Sequence, residues 1–145
     1  VAGEGLTIVG EANPYGADPY FALYHLPRNA SGNRLREHMG LPDHVYEQLT
    51  KVNLCPSAWS MKVARVQADK LREAGGVIVL LGAKVRAAFD GPEFFGVERF
   101  GDVYTLATLP HPSGLNRMWG VAGARERARE LLRTLAPNVP WGSAA

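Results

Sequence analysis

Two short segments of this chain hold the side chains best suited to work on a polar bond. They are Gly10-Glu11-Ala12-Asn13-Pro14-Tyr15-Gly16 and His111-Pro112-Ser113-Gly114-Leu115-Asn116-Arg117. The first offers an amide at Asn13, whose carbonyl can orient a water, and a carboxylate at Glu11, able to act as a base or to pair with an arginine. The second offers an imidazole at His111, a hydrogen-bond donor while neutral. Between them, Asn53 presents a donor and an acceptor in one plane, suited to reading the edge of a ring. Each residue also has a plain structural role open to it. Asn-Pro is a common turn opener. A lone loop histidine usually bonds backbone, and an asparagine often closes a strand end.

Composition narrows the chemistry. Cys55 is the only cysteine, and one thiol makes no internal disulfide, all-cysteine zinc site or iron–sulfur cluster. His25, His38, His44 and His111 lack His-x-x-x-His spacing, so neither a structural metal nor a cofactor is expected. The 145 residues fit a single domain spanning 1–145, long enough to bury a core without staples. A formal net charge of +2 permits nucleic-acid binding without arguing for it. No apolar run approaches the roughly 20 residues of a membrane span. The first residues lack the basic and hydrophobic regions of a secretory signal. The expectation is a cytoplasmic monomer away from membranes.

The elements that must position these residues alternate between strand and helix. Leu6-Thr7-Ile8-Val9 reads as a buried strand, and Lys51–Leu54, Val77–Leu81 and Val103–Leu109 as three more. The run from Glu11 to Gly32 reads as a long functional loop with a short helical stretch near Tyr20–Tyr24. Helices are predicted over Arg34–Met39, from Pro42-Asp43 to Leu49, over Ser60–Ala74, Lys84–Phe89 and Gly123–Leu135. Buried strands alternating with helices imply a three-layer α/β/α sandwich with a mainly parallel sheet of about four strands. Ligands of such sheets sit beyond the carboxyl ends of the strands. The loops after Val9, Leu54, Leu81 and Leu109 should therefore share one cleft. Arg125, Arg129 and Arg133, at i, i+4 spacing beside Glu126 and Glu130, read as a solvated helix face.

The two polar segments resemble the signature motifs of the uracil-DNA glycosylase superfamily. Its first motif follows strand one in forms such as GQDPYH, GINPG and GEAPG, and its second takes forms such as HPSPLS and NPSGLSR. Three intermediate segments are similar to the family in the same order. Asn29–Leu35 resembles the PAGRLL segment, Val52–Pro56 the NVVKCRP strand and loop, and Val77–Phe89 the hydrophobic strand followed by LGAxAxxxL. The likeness covers roughly residues 6 to 119. The first motif carries one residue more between glycine and proline than GQDPY or GINPG. Aligning on Asn-Pro-Tyr puts Asn13 at the water-activating position, whereas aligning on Gly-Glu-Ala puts Ala12 there. The cysteines of the iron–sulfur branch are absent.

The resemblance implies a monofunctional DNA glycosylase acting in base excision repair. Such an enzyme hydrolyses the N-glycosidic bond of uracil or a related pyrimidine flipped out of DNA. It implies that Asn13 positions water and that His111 donates to the base oxygen as negative charge develops. Asn53 would read the base edge, Tyr15 would crowd the pyrimidine 5-position, and Tyr24 would stack on the base. Ser113 would bond a neighbouring phosphate, Leu115 would wedge into the vacated stack, and Asn116 and Arg117 would contact the opposite base or the backbone. Glu11 is placed behind these, beside the pocket. Two alternatives stay open. The same fold could take a larger base, such as a hypermodified phage pyrimidine or a deaminated purine. A non-catalytic module could bind nucleic acid or a nucleotide without releasing a base.

Overall fold

An uninterrupted apolar strand needs cover on both faces, and the strand over Gly76–Leu81 is of that kind. The computed structural model describes residues 5–12, 22–26, 30–113 and 116–142. Its strands are β1 (Leu6–Ala12), β2 (Thr50–Cys55), β3 (Gly76–Leu81), β4 (Val97–Phe100) and β5 (Tyr104–Leu109). Its helices are α1 (Ser31–Met39), α2 (Asp43–Gln48), α3 (Met61–Ala74), α4 (Ala83–Phe89) and α5 (Ala124–Leu135), with a 3-10 turn over Arg117–Gly120. The strands form one sheet in the order β2-β1-β3-β5-β4. The first four run parallel, and β4 is antiparallel to β5.

Successive strand residues point to opposite faces, so each inner strand feeds two cores. Leu6 and Ile8 of β1 and Val79 and Leu81 of β3 pack with Leu35, Met39, Tyr46, Ala128 and Leu132 from α1, α2 and α5. Val9, Ile78 and Leu80 face the other way, onto Ala64 and Ala68 of α3 and Val85, Ala88 and Phe89 of α4. Ile78, Val79, Leu80 and Leu81 are each no more than 1% exposed. Burial of side chains this size stabilises the fold by about 1.5–3 kcal/mol apiece. Helices therefore cover both faces of the sheet.

The sheet has five strands where about four were expected. The extra one, β4, is an edge strand whose Val97, Glu98 and Arg99 are exposed, so no apolar run marks it. β1 continues through Glu11 and Ala12, which takes both residues out of the expected loop. Of the stretch expected to be helical near Tyr20–Tyr24, Ala22 and Leu23 form a turn and Tyr24 is irregular, while Tyr20 lies outside the described residues. The last strand starts at Tyr104, one residue after Val103.

The arginine stripe on α5 is more than a solvated face. Arg129 keeps a local pair with Glu126 at 3.3 Å, and Arg133 one with Glu130 at 3.5 Å. The same guanidiniums also reach across the fold. Arg129 donates to the carbonyls of His38 and Glu37 at 2.8 and 3.2 Å, and Arg133 to that of Trp141 at 3.2 Å. The helix is thereby tied to the C-terminal turn of α1, whose last carbonyls have no partners within their own helix.

Candidate active site

Parallel strands end together, so their carboxyl ends bring distant residues into one row. Asn53 lies opposite Gly10 in the β2–β1 register. Glu11 follows on β1, Gly82 directly follows β3, and His111 comes two residues after the end of β5. In the order of the sheet the row reads Asn53, Gly10 and Glu11, Gly82, His111.

At one end of the row, the missing side chain of Gly10 makes space. A Cβ there would collide with the amide oxygen of Asn53 and stand 3.3 Å from both methyls of Leu23. Leu23 belongs to the segment 22–26, which is held from two directions. The buried Tyr46 donates its hydroxyl to the Leu23 carbonyl at 2.7 Å. Burial raises the Tyr46 pKa, keeping the phenol protonated as that donor. Gly32, in the first turn of α1, presses against the Leu23 and Tyr24 backbone, where a Cβ would collide with both carbonyl oxygens. Leu23 itself has φ of 54°, a left-handed conformation costing roughly 1–2 kcal/mol outside glycine. The surrounding contacts hold it there.

Tyr24 is half-buried, its ring 4.5 Å from that of His25. His25 is 3% exposed and sets Nε2 3.3 Å from Glu47 of α2. It anchors the segment to α2.

At the other end, His111 is half-buried and its protonation is defined by a neighbour. The Ser113 backbone N–H donates to His111 Nδ1 at 3.0 Å. A ring nitrogen that accepts carries no proton, so the neutral ring has its N–H at Nε2. Burial lowers the His111 pKa from the ordinary 6.5, while the nearby Glu11 carboxylate pulls it upward. Burial is the larger effect. Gly82 makes room for both groups. A Cβ on it would lie 3.0 Å from His111 Cβ, 3.5 Å from Cδ2 and 3.6 Å from Glu11 Oε1. Its φ of 91° also suits glycine alone.

Ser113 is half-buried in the turn that shapes His111. Asn116 caps the 3-10 turn by accepting from Met118 N at 3.0 Å, which gives its amide oxygen a structural task. Arg117 is exposed at the start of that turn. Ala12 pairs with Cys55 and packs toward the core on the α3 side. Asn13, Tyr15 and Leu115 lie outside the described residues. Among the described residues, no group of three His, Cys, Asp or Glu is placed to hold a metal ion.

Beyond Ser113 the surface opens into a cleft of about 300 Å³, lined by Arg34, Glu37, His38, Asn116, Trp119 and Arg125 among others. Trp119 stacks flat on His38, centroids 4.3 Å apart and planes 8° from parallel. The Trp119 indole N–H lies 3.2 Å from the carbonyl oxygens of both Pro110 and His111. The wall of this cleft is thus bonded to the backbone that carries the site histidine. Sequence reasoning missed it, because α1, the 3-10 turn and α5 meet here only in three dimensions.

Fold and site together define an α/β domain with a row of polar groups along the carboxyl edge of its parallel strands. Comparison of the chain with protein-family models, curated proteins and solved structures finds no match. Among the described residues, no helix is long and apolar enough to cross a membrane.

Proposed function

We propose that this chain is a DNA glycosylase of the uracil-DNA glycosylase type, hydrolysing the bond between a pyrimidine-type base and its deoxyribose. The observation that carries the reading is the state of His111. It is neutral, with Nδ1 occupied by the Ser113 N–H and its proton on Nε2. A fixed neutral N–H donor is what a departing base anion needs, because it stabilises charge that exists only in the transition state.

The other residues have matching tasks. The Asn53 amide, set over bare Gly10, reads the base edge. Asn13 orients the attacking water through its carbonyl, and Tyr15 limits the size of the base. The Glu11 carboxylate beside the imidazole favours the positive charge that develops on the sugar. Leu115 fills the gap left by the extruded nucleotide.

The test is base release from duplexes carrying uracil, hydroxymethyluracil, hypoxanthine or glucosylated hydroxymethylcytosine, with Asn13→Ala and His111→Ala beside the parent chain. Release of one of these bases, cut by orders of magnitude in both folded variants, is the expected result. Equal turnover in parent and variants would remove the mechanism.

A further inference from the structure

The cleft beyond Ser113 has a composition that the base pocket does not explain. Arg34 of α1 and Arg125 of α5 line it together with His38. Arg34 makes no ion pair and no side-chain hydrogen bond among the described residues. Arg125 is anchored by one nitrogen, its Nε donating to His38 Nδ1 at 3.0 Å, and it has no carboxylate partner among the described residues. Guanidiniums carry five donors each, so most of the donors of this pair face no acceptor among the described residues. Glu37, the one carboxylate among the described residues lining the cleft, accepts from Asn33 Nδ2 at 2.7 Å. Positive charge is concentrated enough to act on His38. Burial first, then Arg125, Arg129 and Arg34, lower its pKa to about 4.

We propose that Arg34 and Arg125 form a seat for a backbone phosphate of the DNA strand, one step along the chain from the nucleotide held at His111. The inference rests on the glycosylase reading for the identity of the polymer. Its geometry is independent of which base is cleaved. Ser113 borders both the His111 turn and the cleft, so a strand leaving the base pocket past Ser113 runs toward the two arginines. Planar forked donors suit a phosphate better than a point charge does. The stacked pair of Trp119 and His38 gives the seat a rigid floor. Neutral His38 accepts from Arg125, which fixes the direction of that guanidinium.

The seat is tested by the affinity of the full chain for a short fluorescent duplex without damaged bases, measured between about 50 and 200 mM salt. Arg34→Gln and Arg125→Gln should each weaken binding about tenfold at low salt. Each should also reduce the salt slope by about one contact. Arg34→Lys should recover most of the slope. Arg65→Gln, an exposed α3 residue paired with Asp90 at 3.4 Å, should change neither. Arg34 bears no structural bond among the described residues, so its variant separates binding from folding, with thermal melting as the check.

If Arg34→Gln and Arg125→Gln bind like Arg65→Gln while the parent binds DNA, the seat is overturned and the glycosylase reading stands. If both variants lose affinity yet the parent releases no base from any duplex, the seat stands and the glycosylase reading falls. A parent chain that binds no DNA overturns both.

Discussion

The Ser113 amide and His111 Nδ1, 3.0 Å apart, assign the histidine its tautomer through the backbone. No side chain has to be recruited for this, because the turn after β5 supplies the donor. The remaining N–H is left to act on whatever occupies the carboxyl edge of the sheet.

Loss of that donor should cut base release by about 10²–10³-fold in His111→Ala, the range seen when one preorganised donor is removed. Because burial lowers the His111 pKa, the neutral form should persist below pH 6.5. Activity is therefore expected to hold level from neutral pH down past that point and to fall only in more acid solution. A pH profile of single-turnover rates checks both statements.

Glu11 raises the His111 pKa that burial lowers. Glu11→Gln should move the acid limb of the profile to still lower pH, with less than about a tenfold loss of rate at pH 7 if Asn13 orients the water. A loss of about a hundredfold or more would instead assign water activation to the carboxylate. The same single-turnover series across pH distinguishes the two outcomes.

Gly10 and Gly32 keep space for different neighbours. A methyl on Gly10 meets the ends of the Asn53 and Leu23 side chains, whereas one on Gly32 meets the backbone of Leu23 and Tyr24. Gly32→Ala should therefore cost about 1–3 kcal/mol of stability. Gly10→Ala should cost less and chiefly impair base release, by displacing the Asn53 amide. Chemical denaturation together with turnover measures the contrast.

His38 couples stability to pH. In the folded chain its pKa is about 4, from burial and from the guanidiniums of Arg125, Arg129 and Arg34. In the unfolded chain it returns to about 6.5. Between these values the unfolded chain binds more protons, so stability rises with pH. The contribution is complete above pH 6.5 and is lost as pH falls toward 4. His111, lowered in the same sense, adds to it. Melting temperatures of the parent and of His38→Gln, compared at pH 7 and near pH 4.5, should differ less in the variant.

Much of the frame was legible in the sequence because its causes are local. Val77 to Leu81 is apolar without a break and becomes β3. Gly40 and Gly75 end α1 and α3, and in each case the glycine N–H closes the helix on its last carbonyls. The edge strand β4 was not legible, since its polar residues match no buried pattern and its pairing with β5 is a tertiary fact.

The chain by itself determined the helices and the buried strands, though not β4, because periodicity and turn chemistry act over a few residues. Only the tertiary structure decided that Asn53 lies across Gly10, that Glu11 and His111 both lie beside Gly82, and that Arg34 and Arg125 line one cleft. Those placements bring together residues separated by 43, 100 and 91 positions. Sheet order and helix docking create them, and neither is written in any local run of residues.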